Sequence, residues 1–582
     1  MKIIVCGPIG YSGADKIREL QSYLRERGYV VLDQLKVDYS HVEDFRGKPE
    51  ICYEIVRNDL EICERADVIV YIGGLHTPGK YLSAVPSQVE EVARFIKPFR
   101  GIKILGGPAF MGSAHEGGSK VSSRELMLAQ SIFDHIVYGD LEAFLYDFLT
   151  NPKDANPFRF RNYSELRDYA LLGAEVVKQF PDYPDFVIVE IETQRGCPKA
   201  AGIGGCSFCT EPVRYKIIED RPIEDIVREV KVLYSIGVKH FRIGRQSCIF
   251  SYMAKPNDRV PIPNPEALEK LFKGIRTVAP EVKTLHVDNA NPAVVANYPE
   301  ESIKIAKTLI KYGTPGNVVA FGLESADPKV AKLNNLNSTP EETYEAVKIL
   351  NEVGAKRGYN GMPLLLPGIN ILFGLPGETK KTYELTYEFL KKLLEDGLLV
   401  RRINIRQVVV FPGTPLWHMR DKVKIEKHKA LIKHYKYKIR HEIDYPMLKR
   451  VVPVGTILRE VRAEVFGNGL TYGRQIGSYP LIVGIPKELE LNKFYDVLVV
   501  DHGFRSITGI PIPINVNRES SKVLSYLPGI GKKKVTKILA KRPFKSKEEF
   551  LRRVEERGTE IVMIRFDAPP GVVDDILFPQ LR

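Results

Sequence analysis

Short apolar runs that alternate with longer amphipathic segments occupy most of the first 417 residues of this 582-residue chain. Each run has the length of a strand and ends in a glycine-rich or polar turn, whereas the segments between runs have helical spacing of apolar residues. Strands separated by helices pair in parallel, because a parallel connection needs a crossover. The pattern therefore predicts an α/β fold whose ligands bind at the carboxyl ends of the strands.

Changes in this pattern divide the chain into six predicted segments. They are a doubly wound α/β domain at 1–150, a linker at 151–185, a full or partial TIM-like barrel at 186–417, a basic helical connector at 418–450, a small β-barrel at 451–515 and a helical region at 519–582. The barrel prediction rests on six candidate strands at 186–192, 240–243, 284–287, 318–323, 369–373 and 403–410.

Composition limits the setting in which this chain works. It has no apolar stretch of about eighteen residues, so we expect no membrane span, and its N-terminus lacks the layout of a signal peptide. Seven cysteines are too few for a disulfide scaffold, which predicts a reducing, cytoplasmic location. The net charge is +13, and residues 420–450 hold eleven Lys and Arg against four Asp and Glu. On charge alone, this surplus is equally compatible with a polyanion partner and with a solvated Lys-rich surface.

Three of the cysteines form a C-x8-C-x2-C pattern in a glycine-rich stretch directly after the first barrel strand. They are Cys197, Cys206 and Cys209. Three thiolates without a fourth ligand are the set for a [4Fe–4S] cluster with one open iron, whereas a structural zinc site needs four ligands. A zinc site that borrows a distant ligand such as His286 is the alternative.

The segment from 186 to about 417 resembles the radical S-adenosylmethionine (radical SAM) enzymes. The cysteine stretch carries this resemblance together with Arg242–Gln246, the G-x-E-S segment at Gly322, the G-x-P-G-E-T turn at Gly374 and the P-G-T-P segment at Pro412. The gap of eight residues after Cys197 departs from the usual three, and we interpret it as a flexible local bulge. The resemblance implies a [4Fe–4S] cluster on the three catalytic cysteines, with S-adenosylmethionine (SAM) as the second cofactor. The implied SAM-site residues are Phe208, Gly244, Gln246, Glu324, Ser325 and Gly374.

The first domain resembles the cobalamin-binding-type domains that precede many radical SAM barrels. Gly106-Gly107-Pro108 and the later Gly139-Asp140-Leu-Glu142 carry this resemblance, and Gly73, Gly74, Gly106 and Gly107 are its candidate ligand-facing glycines. The D-x-H-x-x-G motif of many cobalamin proteins is missing, which leaves cobalamin binding open. The chain also resembles the tRNA methylthiotransferases. Their three N-terminal cysteines are not all present, which disfavours a second cluster and methylthiolation.

The C-terminal third resembles two nucleic-acid-binding modules. Residues 451–515 are similar to a TRAM domain, in which Arg474 is a candidate RNA contact. Residues 525–535 are similar to a helix-hairpin-helix motif, in which Gly529, Gly531, Lys532, Lys533 and Lys534 are candidate phosphate contacts. A bracing role for the β-barrel and a protein-binding role for the hairpin are the alternatives. As a whole, the chain resembles archaeal-type radical SAM proteins with a C-terminal helix-hairpin-helix.

These resemblances imply a radical SAM enzyme that modifies RNA, most of all tRNA, for example by methylation of an unactivated carbon in a hypermodified base. An electron donor such as ferredoxin or flavodoxin is the implied partner. The alternative is a cobalamin-type radical SAM methyltransferase that acts on a small molecule or a protein and whose C-terminal domains are structural. A third class is a non-enzymatic iron–sulfur or nucleic-acid-binding scaffold.

Overall fold

Two compact units make up this chain. The first comprises Met1–Lys356 and Leu364–Ile439, and the second Arg357–Pro363 and Arg440–Arg582. The computed structural model describes residues 2–6, 30–35, 67–72, 96–107, 123–179, 182–257, 259–527, 530–545, 547–554 and 564–565. Within these ranges, no helix has both the length and the apolar character needed to cross a bilayer.

A five-stranded parallel sheet opens the first unit. Its strands are β1 (Lys2–Cys6), β2 (Val30–Leu35), β3 (Val68–Ile72), β4 (Ile102–Gly106) and β5 (His135–Ile136), in the order β2-β1-β3-β4-β5. This is the strand order of flavodoxin-like doubly wound sheets. Helices α1 (Ser123–Gln130), α2 (Leu141–Thr150) and α3 (Tyr163–Leu172) follow, and α3 leads into a 3₁₀ helix at Gly173–Gln179. Every residue of β3 is buried, which explains its uninterrupted apolar run.

A partial barrel of parallel strands forms the rest of the first unit. Its strands are β6 (Ile188–Glu192), β9 (His240–Gly244), β10 (Thr284–Val287), β11 (Asn289–Ala290), β12 (Asn317–Glu324), β13 (Leu365–Phe373) and β14 (Arg402–Gln407), with a small hairpin of β7 (Gln194–Arg195) and β8 (Glu219–Asp220). They form two sheets, β10-β9-β6 and β11-β12-β13-β14, and a single residue, Asp288, separates β10 from β11. All six predicted barrel strands are present.

Ten helices of the described chain accompany these strands. They are α4 (Pro198–Ile203), α5 (Glu211–Arg214), α6 (Ile223–Ser235), α7 (Pro265–Val278), α8 (Pro292–Asn297), α9 (Pro299–Tyr312), α10 (Pro328–Leu333), α11 (Pro340–Gly354), α12 (Lys380–Glu395) and α13 (Ile425–Ile439). Several begin with proline after a polar cap, as at Thr339, whose hydroxyl accepts the Glu342 amide at 3.2 Å in a capping box. Because the strands are parallel, all their carboxyl ends lie at one edge, where a site is expected.

The second unit is built on a small closed barrel. Strands β15 (Ile457–Gly467), β16 (Leu470–Gln475), β17 (Ile482–Ile485), β18 (Phe494–His502) and β19 (Ser506–Pro511) close in the order β15-β16-β17-β19-β18, with β17 and β19 parallel and the other pairs antiparallel. A π-helical turn at Arg440–Asp444 and α14 (Tyr445–Val451) precede it, and α15 (Ser521–Ser525), α16 (Lys532–Lys541), α17 (Lys547–Val554) and the pair β20 (Ile514–Asn515) and β21 (Ile564–Arg565) follow.

The segment Arg357–Pro363 belongs to this second unit although it lies between α11 and β13 in sequence. The side-chain amide of Gln475 donates to the Asn360 carbonyl at 2.7 Å. Gly361 has φ +88°, and a Cβ there would lie 2.0 Å from the Ile457 carbonyl oxygen. Only glycine fits this close approach. A contact between a loop of the barrel segment and the small β-barrel was not predicted from the sequence.

Candidate functional site

The cysteine loop begins where β6 ends, at the carboxyl edge of the parallel strands. Gly196 precedes the first cysteine with φ +85°, and a Cβ there would lie 2.4 Å from the Ile217 carbonyl oxygen. The Gly196 amide donates to Glu211 at 3.1 Å. Cys197 then caps α4. Glycine is therefore required immediately before Cys197, both by its left-handed backbone and by the lack of space.

Six of the eight residues between the first two cysteines form a helical turn, α4, where we expected a flexible local bulge. The Lys199 ammonium donates to the carbonyls of Gly204 and Asn335 at 2.9 and 2.8 Å. The side-chain amide of Asn335 lies 3.0 to 3.1 Å from three successive carbonyls, those of residues 203–205. These contacts connect the loop to the end of α10 and fix its path.

The second and third cysteines lie on one tight turn. The Cys209 amide donates to the Cys206 carbonyl at 3.0 Å. Between them, the Ser207 hydroxyl donates to Asn334 Oδ1 at 2.8 Å, and the Ser207 carbonyl accepts the Leu416 amide, also at 2.8 Å. Cys206 Sγ lies 3.5 Å from Asn337 Oδ1. Hydrogen bonds of Ser207 with Asn334 and with Leu416 thus hold this turn in place.

The three thiols share one electrostatic environment. Burial raises the pKa of Cys206 and Cys209 to about 12, and each of the two interacts with Cys197. Burial also raises the pKa of Cys197. Such thiols become thiolates only beside a strong positive charge, as iron supplies. One buried and two half-buried thiols in one loop, all with raised pKa values, therefore fit an iron–sulfur cluster.

A single metal ion fits this loop less well. In the described part of the chain, no three His, Cys, Asp or Glu side chains form a group that could hold one ion. A [4Fe–4S] cluster needs no such group, because each thiolate binds a different iron. His286 interacts with Arg242 and His240, and burial lowers its pKa to about 4. The zinc alternative thus has no ligand set among these residues.

Glu324 ends β12 beside the cysteine loop. Its φ is +63°, a left-handed conformation that is strained for a residue other than glycine. Burial raises the pKa of Glu324 to about 8, the nearby Arg406 opposes this rise, and the carboxylate interacts with Cys206 and Cys209. Ser325 is buried, and its hydroxyl accepts the Asp327 amide at 3.3 Å. Of these two predicted SAM-site residues, Glu324 is therefore the one with an electrostatic interaction with the thiols.

The other predicted SAM-site residues follow β9 and β13 or lie on the cysteine loop. A Cβ on Gly244 would lie 2.4 Å from Glu190 Oε1, so this glycine makes room for a carboxylate of β6. Gln246 is buried and accepts a hydrogen bond from Thr193 at 3.3 Å. Gly374 has φ +95°, and its amide donates to Glu378 at 2.9 Å. Phe208 packs against the apolar cluster that contains Cys206. Their roles towards SAM stay predictions.

The candidate cobalamin residues are only partly described. Gly73 and Gly74 lie outside the described residues. A Cβ on Gly106 would lie 2.6 Å from the Leu141 side chain, so packing of α2 accounts for this glycine. Gly107 has φ +104°. The glycine at 107 is therefore explained by its backbone conformation.

The predicted nucleic-acid contacts all lie in the second unit. Arg474 of β16 donates to Glu464 of the neighbouring strand β15 at 3.0 and 2.8 Å, so its guanidinium is paired within the barrel's own strands. Gly529 lies outside the described residues. Gly531 caps α16 with φ −77°, and a Cβ there would meet open space. Lys532 and Lys533 are exposed at the start of α16, and Lys534 is half-buried. Nucleic-acid binding by these residues stays a prediction.

A buried ion network that the sequence analysis did not find joins the first sheet domain to the cysteine loop. Arg195, next to Gly196, donates to Asp140 at 2.5 Å and to Glu192 at 2.8 Å. Arg161 donates to Glu142 at 2.7 Å and lies 3.4 Å from Glu192. All five side chains are less than one tenth exposed. The signal in the sequence is the acidic pair Asp140 and Glu142, which we interpreted only as a family motif.

This chain is similar to several known proteins. The Radical SAM superfamily model matches residues 191–390. An uncharacterized protein of Methanocaldococcus jannaschii is 52% identical over 493 residues, 83% of this chain and 88% of that protein. A ribosomal protein uS12 methylthiotransferase of Thermoanaerobacter is 24% identical over 57% of this chain and 68% of its own length. The solved structure of the methyltransferase TsrM from Kitasatospora setae, with cobalamin and a [4Fe–4S] cluster, covers 71% of this chain and 73% of its own at 16% identity, with a TM-score of 0.47.

The matched residues include the cysteine loop, Gln246, Glu324 and the Gly374 turn, which lie together at the carboxyl edge of the barrel. Membership of the matched superfamily implies a [4Fe–4S] cluster and SAM as cofactors. The ordered cysteine loop, the parallel partial barrel and the family match lead to one conclusion: this chain belongs to the radical SAM superfamily.

Proposed function

We propose that this radical SAM enzyme transfers a one-carbon group to an unactivated carbon of a protein or a small molecule. The observation that carries the radical chemistry is the loop that holds three free thiols, the buried Cys206 and the half-buried Cys197 and Cys209, at the carboxyl edge of a parallel barrel. Cys197, Cys206 and Cys209 would hold a [4Fe–4S] cluster there, which would supply the one-electron reduction on which SAM radical chemistry depends.

The protein's own groups hold and shield this centre. Lys199 and Asn335 fix the loop between the first two cysteines, and Asn334 fixes the turn between the last two. The Glu324 carboxyl is a polar group on the thiol side of the barrel edge, suited to orient a cationic or hydroxyl-bearing ligand. Apolar neighbours such as Leu372, Leu375 and Val408 exclude water from the cysteine side.

Similarity to the methylthiotransferases supports a protein substrate, since the relative named above is a ribosomal protein methylthiotransferase. The absence of two of the expected N-terminal cysteines favours transfer of a methyl group over a methylthio group. Ile72, the last residue of β3, and Leu105, the penultimate residue of β4, are fully buried and apolar and lie near the places expected for those ligands. Cobalamin as the methyl carrier is part of this proposal.

The test is an anaerobic assay of the reconstituted protein with SAM and dithionite. We expect 5′-deoxyadenosine, and S-adenosylhomocysteine if SAM also donates the methyl group, both measured by mass spectrometry. Absorption bands of cobalamin in the purified protein test the carrier. If 5′-deoxyadenosine fails to form while iron and sulfide are fully incorporated, the proposed radical chemistry is wrong.

RNA modification, most of all of tRNA, is the second candidate function. It is favoured by a closed β-barrel followed by helices that expose Lys532 and Lys533. We expect a missing modified nucleoside in total tRNA from cells that lack the gene, measured by mass spectrometry. An unchanged nucleoside profile would remove this candidate. Loss of salt-sensitive tRNA binding in the full-length Lys532→Glu/Lys533→Glu variant would support it.

A further inference from the structure

A basic segment directly adjoins the cysteine loop in the first unit. We name residues 415–439 the basic segment; it comprises a 3₁₀ helix at Pro415–Lys422 and α13. The Leu416 amide donates to the carbonyl of Ser207, between Cys206 and Cys209, at 2.8 Å. Leu416, Met419, Val423 and Ile425 belong to the same apolar cluster as these two cysteines. The basic segment is therefore the wall that separates the thiol turn from solvent on this side.

The outer face of this wall is strongly positive. The basic segment has eight Lys and Arg against two acidic residues; the cations are Arg420, Lys422, Lys424, Lys427, Lys429, Lys433, Lys436 and Lys438. Lys422 and Lys424 are exposed, and neither forms an ion pair with a described residue. The charge is thus directed to solvent and available to a partner.

A groove of about 340 Å³ lies at this face. Its lining includes Lys422, Lys424 and His428 of the basic segment and also Gly374 and Leu375 of the turn after β13. Leu375 is itself a member of the apolar cluster that contains Cys206. The one carboxylate in the groove, Glu378, accepts hydrogen bonds from two backbone amides and from Tyr383. Its charge is therefore offset inside the protein, and the groove favours an anionic partner.

Trp417 adds a flat apolar surface to the basic segment. It is the single tryptophan of the chain, it is half-buried, and the Arg420 guanidinium lies 5.1 Å from the centre of its ring. Tryptophan and arginine are the residues most enriched at the energetic centres of protein interfaces. A half-buried tryptophan on the same segment as the exposed Lys422 and Lys424 is suited to a small, charge-steered encounter.

We infer that the basic segment is the docking surface of a small acidic protein that carries one electron. This inference rests on the proposed function, because the radical chemistry needs an electron from outside the chain. In that step the carrier loses one electron and the iron–sulfur group held by the three thiols gains it, and no bond is formed or broken. The short path from the basic segment through Leu416 to the cysteine turn favours a redox protein over RNA, whose predicted binding modules lie in the second unit.

The test compares two double variants of the full-length chain. Lys422→Glu/Lys424→Glu reverses the charge of the groove. Lys304→Glu/Lys307→Glu makes the same change on exposed residues of α9, away from the cysteine loop in sequence and on another helix. Binding of a purified acidic ferredoxin is measured by calorimetry with cluster-free and reconstituted protein at low and high salt. The measurement with cluster-free protein reports ferredoxin binding independently of catalytic activity.

We expect the groove variant to weaken ferredoxin binding about tenfold or more at low salt, with a smaller difference at high salt, and the α9 variant to bind like the wild type. With dithionite as reductant, both variants should form 5′-deoxyadenosine at the wild-type rate. With reduced ferredoxin, only the groove variant should show a raised KM for the carrier.

Three results would overturn the inference. They are equal effects of the two double variants, unchanged ferredoxin binding by the groove variant, and a loss of tRNA binding in place of ferredoxin binding. Failure of the wild type to form 5′-deoxyadenosine with dithionite would instead contradict the proposed function, and the binding arm would still decide whether the surface docks an acidic protein.

Discussion

At the scale of single residues, the role of the cysteines as metal ligands was predictable from the sequence. The packing contacts that require glycine at positions such as Gly106 and Gly244 were not. A C-x8-C-x2-C pattern indicates a metal site directly, because closely spaced cysteines are typical of metal sites. A glycine in sequence does not reveal its neighbour in space. Gly106 makes room for Leu141 and Gly244 for Glu190, although we interpreted both as places for a ligand. The buried partner of each glycine depends on packing between distant segments.

Asn335 provides a test of how the loop between the first cysteines is held. It has φ +47°, and its amide contacts three carbonyls of the loop. Asn335→Ala should lose these hydrogen bonds and add about 1 kcal/mol of left-handed strain. Asn335→Gly should lose the hydrogen bonds alone. We expect iron per chain after reconstitution to fall in the order wild type, Gly, Ala; equal iron in all three would contradict this role.

His240 predicts a pH dependence of stability. Burial lowers its pKa to about 4, while Thr284 and the Asp185 carbonyl bind its ring at 2.8 and 2.9 Å. The unfolded chain binds a proton near pH 6.5 and the folded chain near pH 4, so the contribution of neutral His240 is fully present above pH 6.5 and is lost as the pH falls towards 4.

The loss amounts to about 1.4 kcal/mol per pH unit within that window. Urea unfolding at pH 7, 6 and 5 measures it, and His240→Gln should reduce the slope of the free energy of unfolding against pH by about one proton. An identical slope in wild type and variant would show that His240 is not the group responsible.

At the scale of secondary-structure elements, buried strands were the most predictable part. All six barrel strands follow from apolar runs, since strands covered on both faces have few polar positions. Strand β2 and the two-residue β5 were missed, because the first lies among polar neighbours and the second is too short for a periodic signal. The helical turn α4 was missed because Gly and Ala in its sequence have no amphipathic pattern. Its order comes from Lys199 and Asn335, which no local pattern reveals.

The buried ion network predicts that a conservative substitution of Asp140, the N-cap residue of α2, strongly destabilises the protein. Asp140→Asn removes the carboxylate that pairs with Arg195 and leaves a buried charge less compensated. We expect a loss of about 3 kcal/mol in the free energy of unfolding, measured by urea titration of the cluster-free protein. The matched control is Asp154→Asn, an exposed residue for which we expect little change. Equal stability of the two variants would contradict a structural role for the network.

At the scale of the whole molecule, the order of architectures was predictable and the division into units was not. A parallel sheet, a partial parallel barrel and a small β-barrel follow one another as expected. The predicted connector at 418–450 is divided between the two units after Ile439, and the loop Arg357–Pro363 belongs to the second unit. Such long-range partnerships depend on contacts that no local pattern in the sequence contains. The identity of the substrate stays a proposal for the same reason. Substrate recognition depends on the surface of the folded protein and not on the motifs around the cysteines.

The measurement that tests the central claim most directly is formation of 5′-deoxyadenosine from SAM under anaerobic conditions. The control is Cys248→Ala, which removes a buried thiol outside the cysteine loop. We predict that the reconstituted wild type and Cys248→Ala form the nucleoside when dithionite is present, and that Cys206→Ala forms none above the level without SAM. Equal formation by Cys206→Ala, or none by a wild type with full iron and sulfide, would contradict the assignment of the three thiols as the radical-generating centre.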